Sequence, residues 1–362
     1  MKRVEASSEN DVCKKWLSNI APQHLDIDQR DVFAQKIQEH KWFLSEKIGR
    51  DVGCKVAAVD LLENTASFEL DPQCLADEHI LKAMGGQKID PRLWETISDS
   101  QPPKQIVNKR IILPMIEDEL ARKHAVTPPR TILFFGPPGT GKTHFVQAIA
   151  SALQWWFIEL SPSTLIVDGE DRLGANLKHF LEEARDVSEV VLFIDEFEEI
   201  AASRDQASRI EKSITNEFLK QIPLFKAQPR RNLLVCATNY IRQLDAALMR
   251  PGRFDCIIPV GGLDDESRRR IFDHYLGDQD RSLIDVAEVI RRLSLFTPAD
   301  IQYLFQKVRQ TAFETEHERG GDGRGWPLTT QMFLKAMADI RPTLTEEILQ
   351  TFNRDCAAYT RY

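Results

Sequence analysis

The chain is poor in cysteine, in long apolar segments and in net positive charge, and each absence excludes a class of protein. Its six cysteines among 362 residues are scattered and include no C-x-x-C pair. This pattern argues against a zinc site or a disulfide framework and favours a reducing compartment, so we expect a cytoplasmic protein. No apolar run approaches the ~18 residues of a transmembrane helix, so we expect no membrane association.

The balance of charges bears on the partners that the chain can bind. The formal net charge is −8 at pH 7. Because proteins bind nucleic acid largely through Lys and Arg contacts to phosphates, nucleic acid is not expected as the main ligand.

A chain of 362 residues is also too long for one small domain and suggests two or three.

Apolar periodicity predicts four regions. Residues 1–103 have helical spacing and end in the polar segment Ser98–Pro103, which is typical of a linker. Residues 104–262 predict an α/β domain with a parallel five-stranded sheet and helices on both faces, since short β-branched or apolar runs alternate with helical segments. Residues 263–345 predict a small helical bundle, and residues 346–362 a C-terminal helix. The five predicted strands are Thr131–Phe135, Trp155–Leu160, Val190–Ile194, Asn232–Ala237 and Cys256–Val260.

The most specific motif is a glycine-rich loop between the first predicted strand and a helical pattern. It reads Gly136-Pro137-Pro138-Gly139-Thr140-Gly141-Lys142-Thr143 and is followed by His144. The eight-residue spacing is that of a P-loop, whose backbone N–H groups surround the phosphates of a nucleotide. Lys142 is expected on the β- and γ-phosphates and Thr143 on Mg²⁺. We include His144 in the same ATP-binding set, although its position next to Thr143 favours packing on the P-loop helix.

A second motif supplies carboxylates. The apolar run 190–194 is followed by Asp195 and Glu196, about sixty residues after the P-loop. A buried parallel strand that ends in two acids places both at the sheet edge beside the P-loop. Asp195 is expected to hold Mg²⁺ through water, and Glu196 to polarise the attacking water as a general base. The alternative is a core strand followed by an acidic turn.

A third segment carries polar and basic residues. Asn239 follows the predicted strand 232–237 and is expected to contact the γ-phosphate or position the water. Arg250 and Arg253 flank a Pro-Gly turn, which suits insertion into a neighbouring subunit's site as arginine fingers. A solvated basic turn is the alternative.

These motifs together resemble the AAA family of ATPases. The resemblance runs from Ile112–Met115 through both nucleotide motifs and the Arg250-Pro251-Gly252-Arg253-Phe254-Asp255 segment, over about two thirds of the chain. It implies a helical lid after the α/β domain and a homo-oligomeric ring, usually a hexamer, with ATP and Mg²⁺ between subunits. It further implies hydrolysis coupled to remodelling of a protein partner, which the N-terminal region is expected to select. The lid and the terminal helix resemble the katanin and spastin branch.

The sequence departs from the family pattern at two places. The segment Val167-Asp168-Gly169 lacks the aromatic residue with which translocating rings grip a substrate, and Pro298 stands where a glycine is usual near the adenosine. The first departure leaves open a second function, an ATP-dependent assembly switch that regulates a separate protease or nuclease without threading a substrate. A nucleic-acid motor would need a basic pore, against which the net charge argues.

Overall fold

The computed structural model describes residues 78, 80–160, 173–203, 209–227, 231–319 and 326–362. The chain divides into two compact units, residues 1–79 and 80–362. The predicted helices of the N-terminal region and the segment Val167-Asp168-Gly169 lie outside the described residues.

A six-stranded sheet forms the centre of the second unit. Its strand order is β1-β3-β4-β5-β2-β6, and every neighbouring pair is parallel except β1 and β3. The order places β2 between β5 and β6, so the loop that leaves β2 lies beside the polar residues that follow β5 and β4. The strands are β1 (Gln87–Lys88), β2 (Thr131–Phe135), β3 (Trp156–Leu160), β4 (Val190–Ile194), β5 (Asn232–Thr238) and β6 (Cys256–Pro259).

The sheet corrects one expectation from the sequence. The five predicted strands are present within one residue at each end, but a sixth, antiparallel strand, β1, pairs with the outer edge of β3. Two residues, both exposed, are too short for an alternating pattern, so this strand could not be read from the sequence.

Residues 98–103 also differ from the expectation of a linker. Ser98 and Ile97 are buried, and a helix begins at Pro102. The Lys104 ammonium is buried as well and donates to the Ile97 carbonyl at 2.6 Å. The segment is polar because its side chains are hydrogen-bonded inside the second unit, and composition alone does not distinguish this case from a solvated linker.

The core of the α/β domain lies on both faces of the sheet, because successive side chains of a strand point to opposite sides. Leu133 and Phe135 of β2 face one cluster, while Ile132 and Phe134 face the other. The helices of this domain are α1 (Leu93–Thr96), α2 (Pro102–Val107), α3 (Leu113–Ile116), α4 (Asp118–Lys123), α5 (Lys142–Leu153), α6 (Leu173–Asp186), α7 (Phe197–Ile200) and α8 (Arg209–Ala227), with a π-helical turn at Asn108–Ile112 and a 3₁₀ turn at Ile241–Gln243.

The helices after β6 have a core of their own. Three phenylalanines, Phe272, Phe305 and Phe333, lie with ring centroids 4.9–5.2 Å apart. This bundle, called the lid below, comprises α9 (Asp265–Leu276), α10 (Val286–Arg292), α11 (Pro298–Arg319) and α12 (Thr330–Ala338). The last helix, α13 (Glu346–Tyr359), instead packs on the sheet domain. Within the described residues, no helix is both long and apolar enough to cross a membrane.

Candidate nucleotide-binding site

The glycines of the loop after β2 are required by its backbone path. A Cβ atom at Gly136 would lie 1.9 Å from the carbonyl oxygen of Val260, so no side chain fits there. Gly139 and Gly141 have φ angles of +75° and +88°, in the left-handed region that favours glycine. The loop therefore turns tightly from β2 into α5.

Lys142 is a buried cation that has no anionic partner among the described residues. Its Nζ donates to three neutral oxygens, the Gly136 and Pro137 carbonyls at 2.9 Å each and Asn239 Oδ1 at 2.7 Å. Burial lowers the pKa of Lys142 to about 8, although the charges of Asp195 and Glu198 act in the opposite direction. A buried ammonium held by neutral acceptors suits an incoming phosphate, which supplies the missing charge.

Thr143 and Asp195 meet where a hydrated cation would bind. The Thr143 hydroxyl donates to Asp195 Oδ2 at 2.6 Å. Hydroxyl and carboxylate oxygens are the hard ligands that Mg²⁺ prefers, and Mg²⁺ usually takes only one or two protein ligands beside water and phosphate. In the part of the chain that the structure describes, no cluster of three or more His, Cys, Asp or Glu side chains could hold a metal. The pair therefore fits a magnesium ion that is bound together with a phosphate.

Glu196 is an exposed carboxylate at this edge of the sheet. Its backbone has φ 48° and ψ 44°, and its N–H donates to Asp195 Oδ1 at 2.8 Å. This left-handed conformation is uncommon outside glycine and is often found at functional sites. The negative charge of Glu199 raises the pKa of Glu196, with smaller contributions from burial, Asp195 and Glu198. A carboxylate with a raised pKa is a better proton acceptor than an ordinary glutamate.

Asn239 follows β5 and contacts one residue that follows β2 and one that follows β4. Its Oδ1 accepts from Lys142, and its backbone N–H donates to Glu198 Oε1 at 3.1 Å. The other oxygen of Glu198, Oε2, is buried and has no hydrogen-bond partner among the residues that the structure describes. In the sequence, Glu198 follows the two acids of the second motif by two residues. Its contact with Asn239 depends on the pairing of β4 with β5, which no local motif reports.

The remaining loop residues have structural contacts. The Thr140 hydroxyl donates to the Pro137 carbonyl at 2.9 Å, which closes the loop on itself, while Pro138 is exposed. His144 Nε2 lies 3.1 Å from the Thr96 hydroxyl of α1. His144 thus contacts a helix that precedes the loop.

The lid reaches the loop through the start of α11. A Cβ at Gly139 would lie 3.0 Å from Thr297 Oγ1, and one at Gly141 would lie 3.9 Å from Pro298 Cγ. Pro298 is the first residue of α11, where a fixed φ suits a helix and no N–H is needed. Asp300 accepts from the Thr297 N–H at 2.8 Å and from its hydroxyl at 2.9 Å. Proline in place of the usual glycine at position 298 therefore keeps the first turn of α11 intact, and this turn lies next to the P-loop.

Arg250 and Arg253 are not brought to this site within the same chain. They lie in residues 249–254, called the arginine turn below, immediately before β6. The Arg253 carbonyl accepts from the Thr131 hydroxyl at 2.9 Å, so the turn lies at the end of β2 opposite to Gly136. Five residues of strand, about 16 Å, separate the two ends. Arg250 is exposed, and the Arg253 guanidinium donates to the Leu219 carbonyl of α8.

Comparison with known proteins agrees with this arrangement of strands and loop. Residues 132–261 match the model of the ATPase family associated with various cellular activities, abbreviated AAA. The chain contains an AAA domain. The matched residues begin in β2 and end after β6, so they hold the P-loop, the acids after β4 and the arginine turn. The family expected from the sequence is thereby confirmed for the domain that holds residues 132–261.

The AAA domain also has solved structural counterparts. The crystal structure of the FIGL-1 AAA domain superposes with a TM-score of 0.67 at 22% identity, over 78% of this chain and 96% of that one. A second structure of the same domain, in complex with ADP, gives a TM-score of 0.66. At this identity the likeness establishes the fold, an α/β sheet followed by a lid.

Curated relatives are longer than this chain. The cell division cycle protein 48 homolog of Archaeoglobus fulgidus is 27% identical over 267 residues, which are 71% of this chain and 36% of that protein. The proteasome-activating nucleotidase of Methanosphaerula palustris is 31% identical over 232 residues, 62% of this chain and 56% of that protein. The chain therefore spans between about a third and a little over half of these relatives.

Proposed function

We propose that this chain is a Mg²⁺-dependent ATPase that assembles into a homo-oligomeric ring and uses hydrolysis to remodel a protein partner. Six subunits are the expected number. The observation that carries the proposal is the buried Lys142 ammonium, which has three neutral oxygen partners and no carboxylate within ion-pair distance in the described part of the chain. A nucleotide phosphate is the anion that a P-loop presents to such a lysine.

The roles of the residues follow from their positions. Lys142 and the loop amides bind the phosphates, while Thr143 and Asp195 hold Mg²⁺, which neutralises phosphate charge. Glu196, exposed beside Asp195, orients the attacking water and accepts its proton. Asn239 already touches the Lys142 ammonium, so its side-chain oxygen is well placed to report whether a γ-phosphate occupies that position.

A ring is supported by the place of the arginine turn. Arg250 and Arg253 lie at the end of β2 far from their own P-loop, and an arginine side chain is much shorter than the strand between them. Arg250 is exposed and makes no ion pair with the described residues. Because a guanidinium near a transferring phosphoryl group is worth about 10³–10⁵ in rate, we assign both arginines to the neighbouring subunit's site.

The proposal is tested with Glu196→Gln. This change removes the carboxylate that orients water but leaves Thr143 and Asp195, so ATP binding should persist and hydrolysis should fall below detection. Light scattering with Mg²⁺-ATP should then show a particle several times heavier than the 41.5 kDa chain. Near wild-type hydrolysis by this variant would remove Glu196 from the mechanism, and a monomer at every accessible concentration would refute the ring.

A second function, the assembly switch that regulates a separate protease or nuclease, rests on the absence of an aromatic residue in Val167-Asp168-Gly169. Small and acidic side chains offer less contact to a threaded chain than an aromatic ring does. One of the relatives is itself named a proteasome-activating nucleotidase. A pull-down with Glu196→Gln and Mg²⁺-ATP distinguishes the two: a switch retains a folded effector, whereas a remodelling ring retains substrates that are threaded or unfolded.

The free cysteines bear on the cellular compartment of this chain. In the described residues the cysteines Cys236, Cys256 and Cys356 are all free, and burial raises the pKa of each thiol. Unreactive free thiols are typical of proteins in a reducing environment, so we place the chain in the cytoplasm. Recovery of the native protein in an oxidising compartment with these cysteines paired would contradict that placement.

A further inference from the structure

The side chain of Arg361 contacts both ends of the arginine turn. Arg361 Nη1 donates to the Met249 carbonyl at 2.9 Å, and its Nη2 donates to the Phe254 carbonyl at 2.5 Å. Met249 and Phe254 are the first and last residues of the turn, so a single guanidinium holds both of its ends. Arg250 and Arg253 lie between these two anchors.

The backbone of Arg361 is itself held against the sheet. Its N–H donates to the Ile257 carbonyl at 3.0 Å, and its carbonyl accepts from the Ile257 N–H at 2.6 Å. This reciprocal antiparallel bridge lies on β6. The guanidinium therefore extends from a fixed point of the sheet.

The preceding helix α13 is fixed to the nucleotide-binding half of the domain. The Phe352 ring lies 5.9 Å from the Phe135 ring at the end of β2, and a Cβ at Gly261 would lie 2.5 Å from Phe352 Cε1. Asp355 accepts from Arg242 Nε at 2.5 Å. Helix α13 thus contacts β2, the strand before the P-loop, and Arg361, two residues after this helix, contacts the arginine turn.

We propose that Arg361 is a positioning residue for hydrolysis in the neighbouring subunit, because it sets the shape of the turn that presents Arg250 and Arg253. The inference rests on the proposed function, in which these two arginines act across the subunit interface. A guanidinium has a planar fork of donors that can reach two carbonyls at once, whereas a lysine ammonium is a point charge. The fork, rather than the positive charge alone, is the property that the turn uses.

Loss of this fork should impair the rate and not the binding of ATP. Arg361→Ala leaves the P-loop, Asp195 and Glu196 unchanged but frees both ends of the turn. Since a displacement of about 1 Å in a catalytic group can cost about 10²-fold, we expect kcat to fall about 10²-fold with the KM for ATP nearly unchanged. Arg354→Ala, an exposed arginine of α13, is the matched control and should keep wild-type kcat.

Mixing of subunits separates positioning from general damage. Lys142→Ala subunits lack a nucleotide site but retain an intact arginine turn. Arg361→Ala subunits mixed with them should regain ATPase activity, since an intact turn then serves an intact site. Arg361→Ala subunits mixed with Arg253→Ala subunits should regain no activity, because neither variant presents a complete arginine turn. Formation of mixed rings is checked by native mass spectrometry of differently tagged subunits.

Arg361→Lys provides a second variant if Arg361→Ala does not fold. It retains the charge and the backbone bridge to β6, so it should fold, show a reduced kcat and regain activity with Lys142→Ala subunits. Full kcat in folded rings of Arg361→Lys and Arg361→Ala would overturn the inference. So would failure to regain activity with Lys142→Ala when Arg253→Ala mixed with Lys142→Ala does regain it. If that last pair also stays inactive in proven mixed rings, the fault lies with action across the interface, the proposed function itself.

Discussion

The charged side chains at the two ends of strand β2 differ in whether an opposite charge of the same chain pairs with them. At one end, the partners of Lys142 in the described part of the chain are all neutral oxygens. At the other end, Asp255 accepts from the Arg130 N–H at 2.9 Å and from the Thr131 N–H at 3.2 Å, and it pairs with Lys226 Nζ at 2.5 Å. A charge that its own chain neutralises stabilises the fold, whereas one without a counter-charge is available to a ligand. The same strand thus ends in a structural anchor and in the proposed phosphate-binding site.

The largest effect is expected at the ligand end. Lys142→Ala removes the cation that meets the phosphates, so ATP binding should be lost while the fold remains. In a thermal or urea titration, a ligand at 100 times its Kd stabilises a protein by about 2.7 kcal/mol, and this gain should vanish in the variant. Lys220→Ala, at an exposed lysine of α8, should keep the full gain. Nucleotide-dependent stabilisation of Lys142→Ala equal to that of the wild type would refute the comparison.

The next effect concerns the arginines that are presented from the anchored end. Arg253→Ala and Arg250→Ala should each bind ATP normally but hydrolyse it about 10³-fold more slowly, because the missing charge belongs to a neighbour's transition state. Steady-state kinetics on assembled rings, with Arg354→Ala as control, provide the measurement. Loss of ATP affinity in parallel with rate would mean that the arginines act in their own subunit's site or support assembly alone.

The smallest effect is expected from the structural anchor. Asp255→Ala leaves the donors of Arg130 and Thr131 and the Lys226 ammonium without their acceptor. We expect a loss of about 2 kcal/mol in the free energy of unfolding, reduced from the value of a fully buried pair by partial solvent exposure. Urea denaturation measures it, and Asp186→Ala at a largely exposed aspartate should change stability by less than about 0.5 kcal/mol. A larger effect on ATP binding than on stability would contradict the division between the two ends.

Much of the site was readable from local sequence because its parts are local. The loop from Gly136 to Thr143 needs glycine where the backbone turns left-handed or approaches Val260, and the strand before it needs apolar residues on both faces. Such requirements constrain consecutive residues, so a motif records them. The two-residue strand β1 and the buried segment around Ser98 escaped prediction, since both owe their structure to partners distant in sequence.

The sequence by itself determined the elements: the strands, the phosphate-binding loop, the acids after β4 and the presence of two arginines before β6. Only the tertiary structure decided which of these meet. Parallel pairing of β5 with both β2 and β4 brings the Asn239 side chain to Lys142 and the Asn239 backbone N–H to the Glu198 carboxylate. The pairing of β6 with β2 places the arginine turn at the end of the strands opposite to the P-loop. There the Arg361 guanidinium contacts the first and last residues of the turn. The reason is physical: a motif fixes the conformation of neighbouring residues, whereas strand order and helix packing set distances between residues a hundred positions apart.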